Sequence, residues 1–204
     1  MDIVAERPDG RTVINARIRQ SWQRIPARWD SIADPQTSLV IEPRSVVELA
    51  APAAKLLKTE PFSHIATGSV AEAISQLPDL PPQICRGIER LALRFADLTG
   101  SDHIRIRLEQ IVTNSCRRGH ADYTDLRLIT TYAGPGTQIA LDNDPGSEIL
   151  LDLPTGHVGL FKGRLYGENH APSFHRSPPA ADLGVKRLVL VIDTQTFASE
   201  GECG

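Results

Sequence analysis

His120, Ala121 and Asp122 are followed fifty-three residues later by His175, and Arg187 stands twelve residues beyond that. Two imidazoles and one carboxylate are the donor types that hold a single Fe(II) ion on one face and leave the opposite face open. Open positions let a metal bind O₂ and a second molecule instead of merely holding a fold together. In an extended segment, residues two apart project to the same side, so His120 and Asp122 would face one ion together. His175 would reach the same ion from a later strand, at the mouth of a barrel or sandwich where ligand sites are common. An all-thiolate set would point instead to a closed structural zinc site.

Arg187 enters the segment KRLVLVID, which is almost wholly apolar after its first two residues. A guanidinium in such a strand is costly to bury unless something pairs with it. A ligand carboxylate matches its fork bidentately. The competing reading is an ordinary strand-end cation paired with Asp182 or Asp193. Tyr132 could offer a hydroxyl to the same carboxylate, or could be a core tyrosine, and Arg127 on the same strand is a rival anchor. Cys116 precedes His120 by four residues, a spacing that also suits zinc, although an inert thiol accounts for it equally simply. His64, His103, His157 and His170 read as ordinary core or surface histidines. Gly134-Pro135-Gly136-Thr137 lacks the lysine of a P-loop and the spacing of a dinucleotide fingerprint, so it reads as a tight turn beside the site. No Gly-x-Ser-x-Gly elbow supports serine hydrolase chemistry.

The 204 residues suggest one globular domain, with 41% hydrophobic and 23% charged residues and a net charge of −3. No basic field is available for nucleic acid. The N-terminus lacks a basic region followed by an apolar run, and the longest apolar stretch, Leu188 to Ile192, is too short to span a membrane. Cys85, Cys116 and Cys203 are scattered and odd in number, which argues against a disulfide framework and for a reduced, cytoplasmic setting. Residues 1–34, with Trp22 and Trp29, show no clear period. Pro43 to Lys58 has helical spacing, with Ser45 and Glu48 arranged as a capping box and Pro52 placed to kink or split the helix. Ser69–Gln76 and Gln83–Leu98 are further helices, the latter opened by Pro81-Pro82 and stopped by Gly100. After Gly100 the period becomes two. His103–Val112, Leu126–Tyr132, Glu148–Leu153, His157–Lys162, Ser173–Arg176 and Leu188–Asp193 read as strands separated by Gly/Pro turns, the pattern of a sandwich or jelly roll.

His120-x-Asp122, the run Gly156-His157-Val158-Gly159-Leu160-Phe161, His175-Arg176-Ser177-Pro178 and Arg187 together resemble the iron(II)/2-oxoglutarate dioxygenase superfamily over about residues 103–195. CRRGHADYTDLRLITTYAGPGT, followed by FKG and HRSPP, resembles more closely a bacterial family of unknown function associated with zinc homeostasis. The helical spacing before Gly100 and the strand pattern after it predict an α+β chain. Its helical N-terminal region over residues 1–100 would pack on a double-stranded β-helix, or jelly roll, over 101–204. The first resemblance implies a double-stranded β-helix, with His120, Asp122 and His175 as Fe(II) ligands and Arg187 as the 2-oxoglutarate anchor; Tyr132, from its place at the strand end, is the candidate second group of the 2-oxoglutarate site. One departure stands out: Val189 occupies a position, two after the arginine, where many superfamily members carry a small hydroxylated residue.

The expected function is a hydroxylase-type oxygenase acting on a small molecule or a protein side chain, with no nucleic-acid or membrane partner. The alternative is a non-enzymatic zinc protein of metal homeostasis using the same three residues with or without Cys116. A cupin-like enzyme with the metal as a Lewis acid is a third reading. Oligomeric state is not readable from the sequence.

Overall fold

Strict alternation after Gly100 builds the central feature of the molecule, a β-sheet buried on both faces. The computed structural model describes residues 23–194; Trp22 and Cys203 lie outside them. Nine strands run in chain order: β1 (Leu39–Glu42), β2 (Ser63–Gly68), β3 (Ile104–Ile111), β4 (Leu126–Ala133), β5 (Gln138–Ala140), β6 (Leu150–Asp152), β7 (Val158–Lys162), β8 (His175–Arg176) and β9 (Arg187–Thr194). Six form an antiparallel sheet in the order β1-β7-β4-β9-β3-β2, and three form a small facing sheet, β6-β5-β8. This is a double-stranded β-helix with helices on its outer face.

Parity along the three central strands sorts their side chains. Ile104, Ile106 and Leu108 of β3, Leu126 and Leu128 of β4, and Leu188, Leu190 and Ile192 of β9 belong to one apolar cluster. They meet helix α3 (Pro82–Thr99) there, through Ile84, Ile88, Leu91, Ala92 and Phe95. Those five recur at the spacing of one helical face. Ile129, Val189 and Val191 point the other way. They join Leu39, Ile41, Ile139, Leu151, Leu153 and Phe161 in a second cluster between the sheets. Of the other odd-numbered residues, Arg105, Arg107, Glu109, Ile111, Arg127, Arg187 and Asp193 line a cavity on that inner side, while a bulge after Thr131 turns Ala133 to the helix side. One sheet thus carries an apolar face toward the helices and a partly charged face toward the interior.

The helices follow their sequence signals at two of three places. α3 starts with Pro82 and ends at Gly100, which has φ +63°; a left-handed C-cap suits glycine because it has no Cβ. Helix α2 (Val70–Ser75) carries a complete capping box between Ser69 and Glu72. The box expected at Ser45 and Glu48 does not form. Helix α1 (Val47–Leu56) begins after Val46 with no side-chain cap. Arg44 pins the preceding segment, donating to the Gly156 carbonyl (3.0 Å) and the Thr130 hydroxyl (3.1 Å). Pro52 sits inside α1 without splitting it.

The expectation of a purely helical first half needs correction. β1 and β2 lie within it and form both edges of the large sheet, β1 on β7 and β2 on β3. Both are short edge strands without an alternating pattern, and they form because the neighbouring strands β7 and β3 offer them ladders. β5 was likewise unanticipated; it follows the turn at Gly136 directly and pairs with β6 and β8. Among the described residues no helix is long and apolar enough to cross a membrane.

Candidate metal centre

His120 and His175 meet as an isolated antiparallel bridge. Each backbone N–H donates to the other's carbonyl at 2.9 Å. The bridge continues the small sheet at β8 and fixes the two imidazoles side by side, ring centroids 4.8 Å apart. Asp122, two residues after His120, turns its carboxylate to both. His175 Nε2 is 3.3 Å from Oδ2, and His120 Nε2 is 3.8 Å from Oδ1. One donor atom from each of the three residues falls within 4.8 Å of the others.

The surroundings hold these groups in a form that can bind a cation. His120 Nδ1 lies 3.0 Å from the Arg118 carbonyl, and His175 Nδ1 3.5 Å from the Ser173 carbonyl. A proton on Nδ1 in each ring leaves the Nε2 lone pairs free, the arrangement metal-bound histidines use. Burial, opposed by Asp122, pulls the His175 pKa down to about 4, so the ring is neutral at physiological pH. Burial works against the Asp122 carboxylate, but His175, Arg127 and His120 outweigh it, and its pKa is lowered. Asp122 Oδ2 is buried and accepts no hydrogen bond. Such an orphaned oxygen is costly unless a partner arrives, and a cation held by the two Nε2 atoms would supply one. The donor set therefore fits a divalent metal.

Arg127 positions Asp122 and is not free to anchor a ligand. It donates to Asp122 Oδ1 and forks onto Asp193 at 2.6 and 2.9 Å. Asp193 stands directly opposite Arg127 on one side and Arg105 on the other in the strand register. Burial opposes the Arg127 charge, but Asp193 and Asp122 more than compensate and raise its pKa.

Arg187 is 1% exposed, yet no carboxylate of the described residues pairs with it. Its Nε donates to the Pro135 carbonyl (2.7 Å), and its terminal nitrogens to the hydroxyls of Ser177 (2.5 Å), Thr137 (3.1 Å) and Thr131 (3.5 Å). The two acids suggested as its partners are engaged elsewhere, Asp193 with Arg127 and Asp182 with Asn114. Burial pulls the Arg187 pKa down to about 10, still far above neutrality. The turn at 134–136 makes the cradle possible. A Cβ on Gly134, whose φ is +83°, would sit 2.2 Å from the Lys186 carbonyl, and one on Gly136 1.7 Å from the Leu153 carbonyl. Only glycine lets this turn press against the start of β9.

The triad and Arg187 line the same cavity, of about 740 Å³, together with Ile129, Val189 and Val191. Tyr132 does not. It packs in the cluster between the sheet and α3, because it is five residues from Arg127 and so faces the opposite side of β4. Cys116 borders the cavity, but its sulfur is outside the converging trio. The hydroxyls around Arg187 were not anticipated, although Ser177 is two residues after His175 and shares its face.

A family model described as "Protein of unknown function (DUF1826)" matches residues 30–193. The chain belongs to the DUF1826 family. No curated protein matches it in sequence. Among solved structures this DUF1826 chain is similar to the rice dioxygenase for auxin oxidation: 12% identity, TM-score 0.52, covering 82% of this chain and 76% of that one. It is similar also to dioxygenase for auxin oxidation 1 of Arabidopsis thaliana, in its 2-oxoglutarate complex: 9% identity, TM-score 0.54, 85% and 89% covered. A third is JOX2 in complex with 2OG, Fe and JA: 12% identity, TM-score 0.53, 80% and 69% covered. At these identities the likeness is one of fold, and it places the DUF1826 chain in the jelly-roll architecture of these dioxygenases.

Proposed function

We propose that the chain is an Fe(II)- and 2-oxoglutarate-dependent oxygenase of the hydroxylase type, acting on a small molecule or a protein side chain. One observation carries the reading. A fully buried arginine, cradled by neutral hydroxyls and paired with no carboxylate of the described residues, shares a cavity with a His/Asp/His cluster. A buried charge left in that state calls for an anionic ligand, and the ligand would be delivered beside the metal.

His120, Asp122 and His175 would hold the iron, and Arg187 the distal carboxylate of 2-oxoglutarate, with Thr131, Thr137 and Ser177 holding the guanidinium in place. When bound, the pair would supply O₂-dependent oxidation of a C–H bond coupled to decarboxylation of the co-substrate. Ile129, Val189 and Val191 add an apolar wall to the cavity. Val189 needs no hydroxyl here, because the three neighbouring side chains already supply hydroxyls to Arg187. The direct test is succinate formation from 2-oxoglutarate by Fe(II)-loaded protein, alongside anaerobic calorimetry of 2-oxoglutarate binding. Absence of both turnover and binding would reject the proposal.

Two expected results separate this reading from its rivals. Cys116→Ala should leave the metal stoichiometry of purified protein unchanged, measured by elemental analysis, since the three converging donors do not include the thiol. Zinc lost in that variant would support the zinc-homeostasis alternative instead. Tyr132→Phe should leave 2-oxoglutarate affinity within about twofold of the parent, because the hydroxyl faces α3 and ordinary changes away from a site are small. A tenfold loss by calorimetry would return Tyr132 to the ligand site.

A further inference from the structure

Resting on the oxygenase reading, we propose that the oxidisable substrate is an organic anion with an apolar body, its charged group held by Arg107 and Arg164 and its apolar part lying against Tyr123 and Ile65. Five arginines and three carboxylates line the cavity, an excess of two positive charges. A divalent metal and a dianionic co-substrate cancel each other and leave that excess standing. Three of the arginines are accounted for: Arg105 and Arg127 lie against Asp193, and Arg187 sits in its hydroxyl cradle. The remaining two are Arg164 and Arg107, whose contact to a carboxylate among the described residues is a loose one, to Glu109.

Arg107 projects from β3 in the same parity as Arg105 and Glu109. Its Nε is buried without a hydrogen bond, and its nearest carboxylate oxygen, on Glu109, is 3.8 Å away. Arg164 follows β7 and is oriented by one bond, from Nε to the carbonyl of Ala121 (3.2 Å), the residue between two of the triad members. That contact places its guanidinium at the edge of the metal centre, with Tyr123 and Phe174 rings 5.4 and 5.6 Å away. The terminal nitrogens of Arg164 hydrogen-bond to no described residue, so its fork is open to a carboxylate or phosphate. Tyr123 and Ile65, 63% and 52% exposed, are large apolar side chains in the lining of the same cavity. Its volume falls within the roughly 300–1,000 Å³ of small-molecule sites and leaves room beside a small dianion.

The test uses the full chain loaded with redox-inert Mn(II) and saturating 2-oxoglutarate, each titrated first. Phenylacetate, phenyl phosphate and the neutral phenylacetamide are then compared by calorimetry. At least one anion should bind about tenfold tighter than the amide, the difference expected of a charge-assisted contact. Arg107→Gln and Arg164→Gln should each weaken that anion about tenfold, and Arg107→Lys by less than about threefold, with metal content and 2-oxoglutarate affinity unchanged. Equal binding of amide and anions, no detectable anion binding at millimolar concentration, or an anion affinity indifferent to both glutamine variants overturns the assignment. If metal and 2-oxoglutarate fail to bind, the oxygenase reading falls by itself. The same probes and variants on the metal-free chain then decide the anion subsite separately.

Discussion

Arg187→Met is expected to abolish 2-oxoglutarate binding while leaving the metal in place. Among the described residues the guanidinium is the buried cation of the cavity whose hydrogen-bond partners are all neutral; Glu109 and Asp152 act on it only at a distance, so a bound carboxylate would be its first paired counter-charge. Truncating one partner of a buried, hydrogen-bonded charge pair costs about 3 kcal/mol or more, which is a loss of affinity on the order of 100-fold. Arg187→Lys should retain only part of it, since an ammonium cannot reproduce the fork. Folding should suffer little. Replacing a buried, uncompensated charge by an apolar chain of similar size is often neutral or stabilising, although the hydroxyls of Ser177 and Thr137 lose a donor. The expected signature is therefore a melting temperature near that of the parent, an unchanged metal content, and no upward shift of the melting temperature with 2-oxoglutarate. An Arg187→Met protein that binds 2-oxoglutarate like the parent would falsify the assignment of the anchor.

The second large effect concerns the trio itself. Asp122→Asn is nearly isosteric, but it removes the charge that balances the cation and spoils the orphaned oxygen between the histidines. Metal affinity should fall by more than about 100-fold, beyond the 10- to 100-fold typical of a change in the groups that merely orient ligands. Arg127→Met belongs to that milder range, because Arg127 touches Asp122 from the side away from His175 and is itself held by Asp193. The ordering of the two variants, Asp122→Asn well below Arg127→Met, is the checkable result. It is read from Mn(II) or Zn(II) titrations of metal-free protein. Equal losses would mean that the carboxylate acts only as a structural partner for the arginine.

What the sequence disclosed depended on whether the decisive geometry was local. His120 and Asp122 share a side because they are two apart, β3 announces itself through alternation, and β9 through its apolar run after Arg187. α3 does so through its apolar stripe and through the proline and glycine at its ends. β1 and β2 stayed hidden because four to six residues at a sheet edge carry no period of their own. The Ser45 cap failed because Arg44 is tied to a turn more than a hundred residues away. The clamp on Asp122 needed the register that sets Asp193 between Arg105 and Arg127, and register is a property of pairs of strands. The Tyr132 assignment was avoidable. Arg127 and Tyr132, five positions apart on one strand, cannot both face the cavity, because an odd offset puts them on opposite sides.

That same parity limits where the chain can change length. A single residue added or removed within β3 or β9 would turn the strand over beyond that point, whereas β4 already carries one such extra residue, the bulge between Thr131 and Ala133 near its end. Leucines would be delivered to the polar chamber and arginines to the helix interface, so both halves of the molecule would fail together. Variation in loop length is free of this constraint. Lengthening at Pro145-Gly146, or at Gly167, would reshape the chamber's surroundings without disturbing the alternation. Diversity in what these molecules accept would then arise in the connections, with the central strands held to a fixed count.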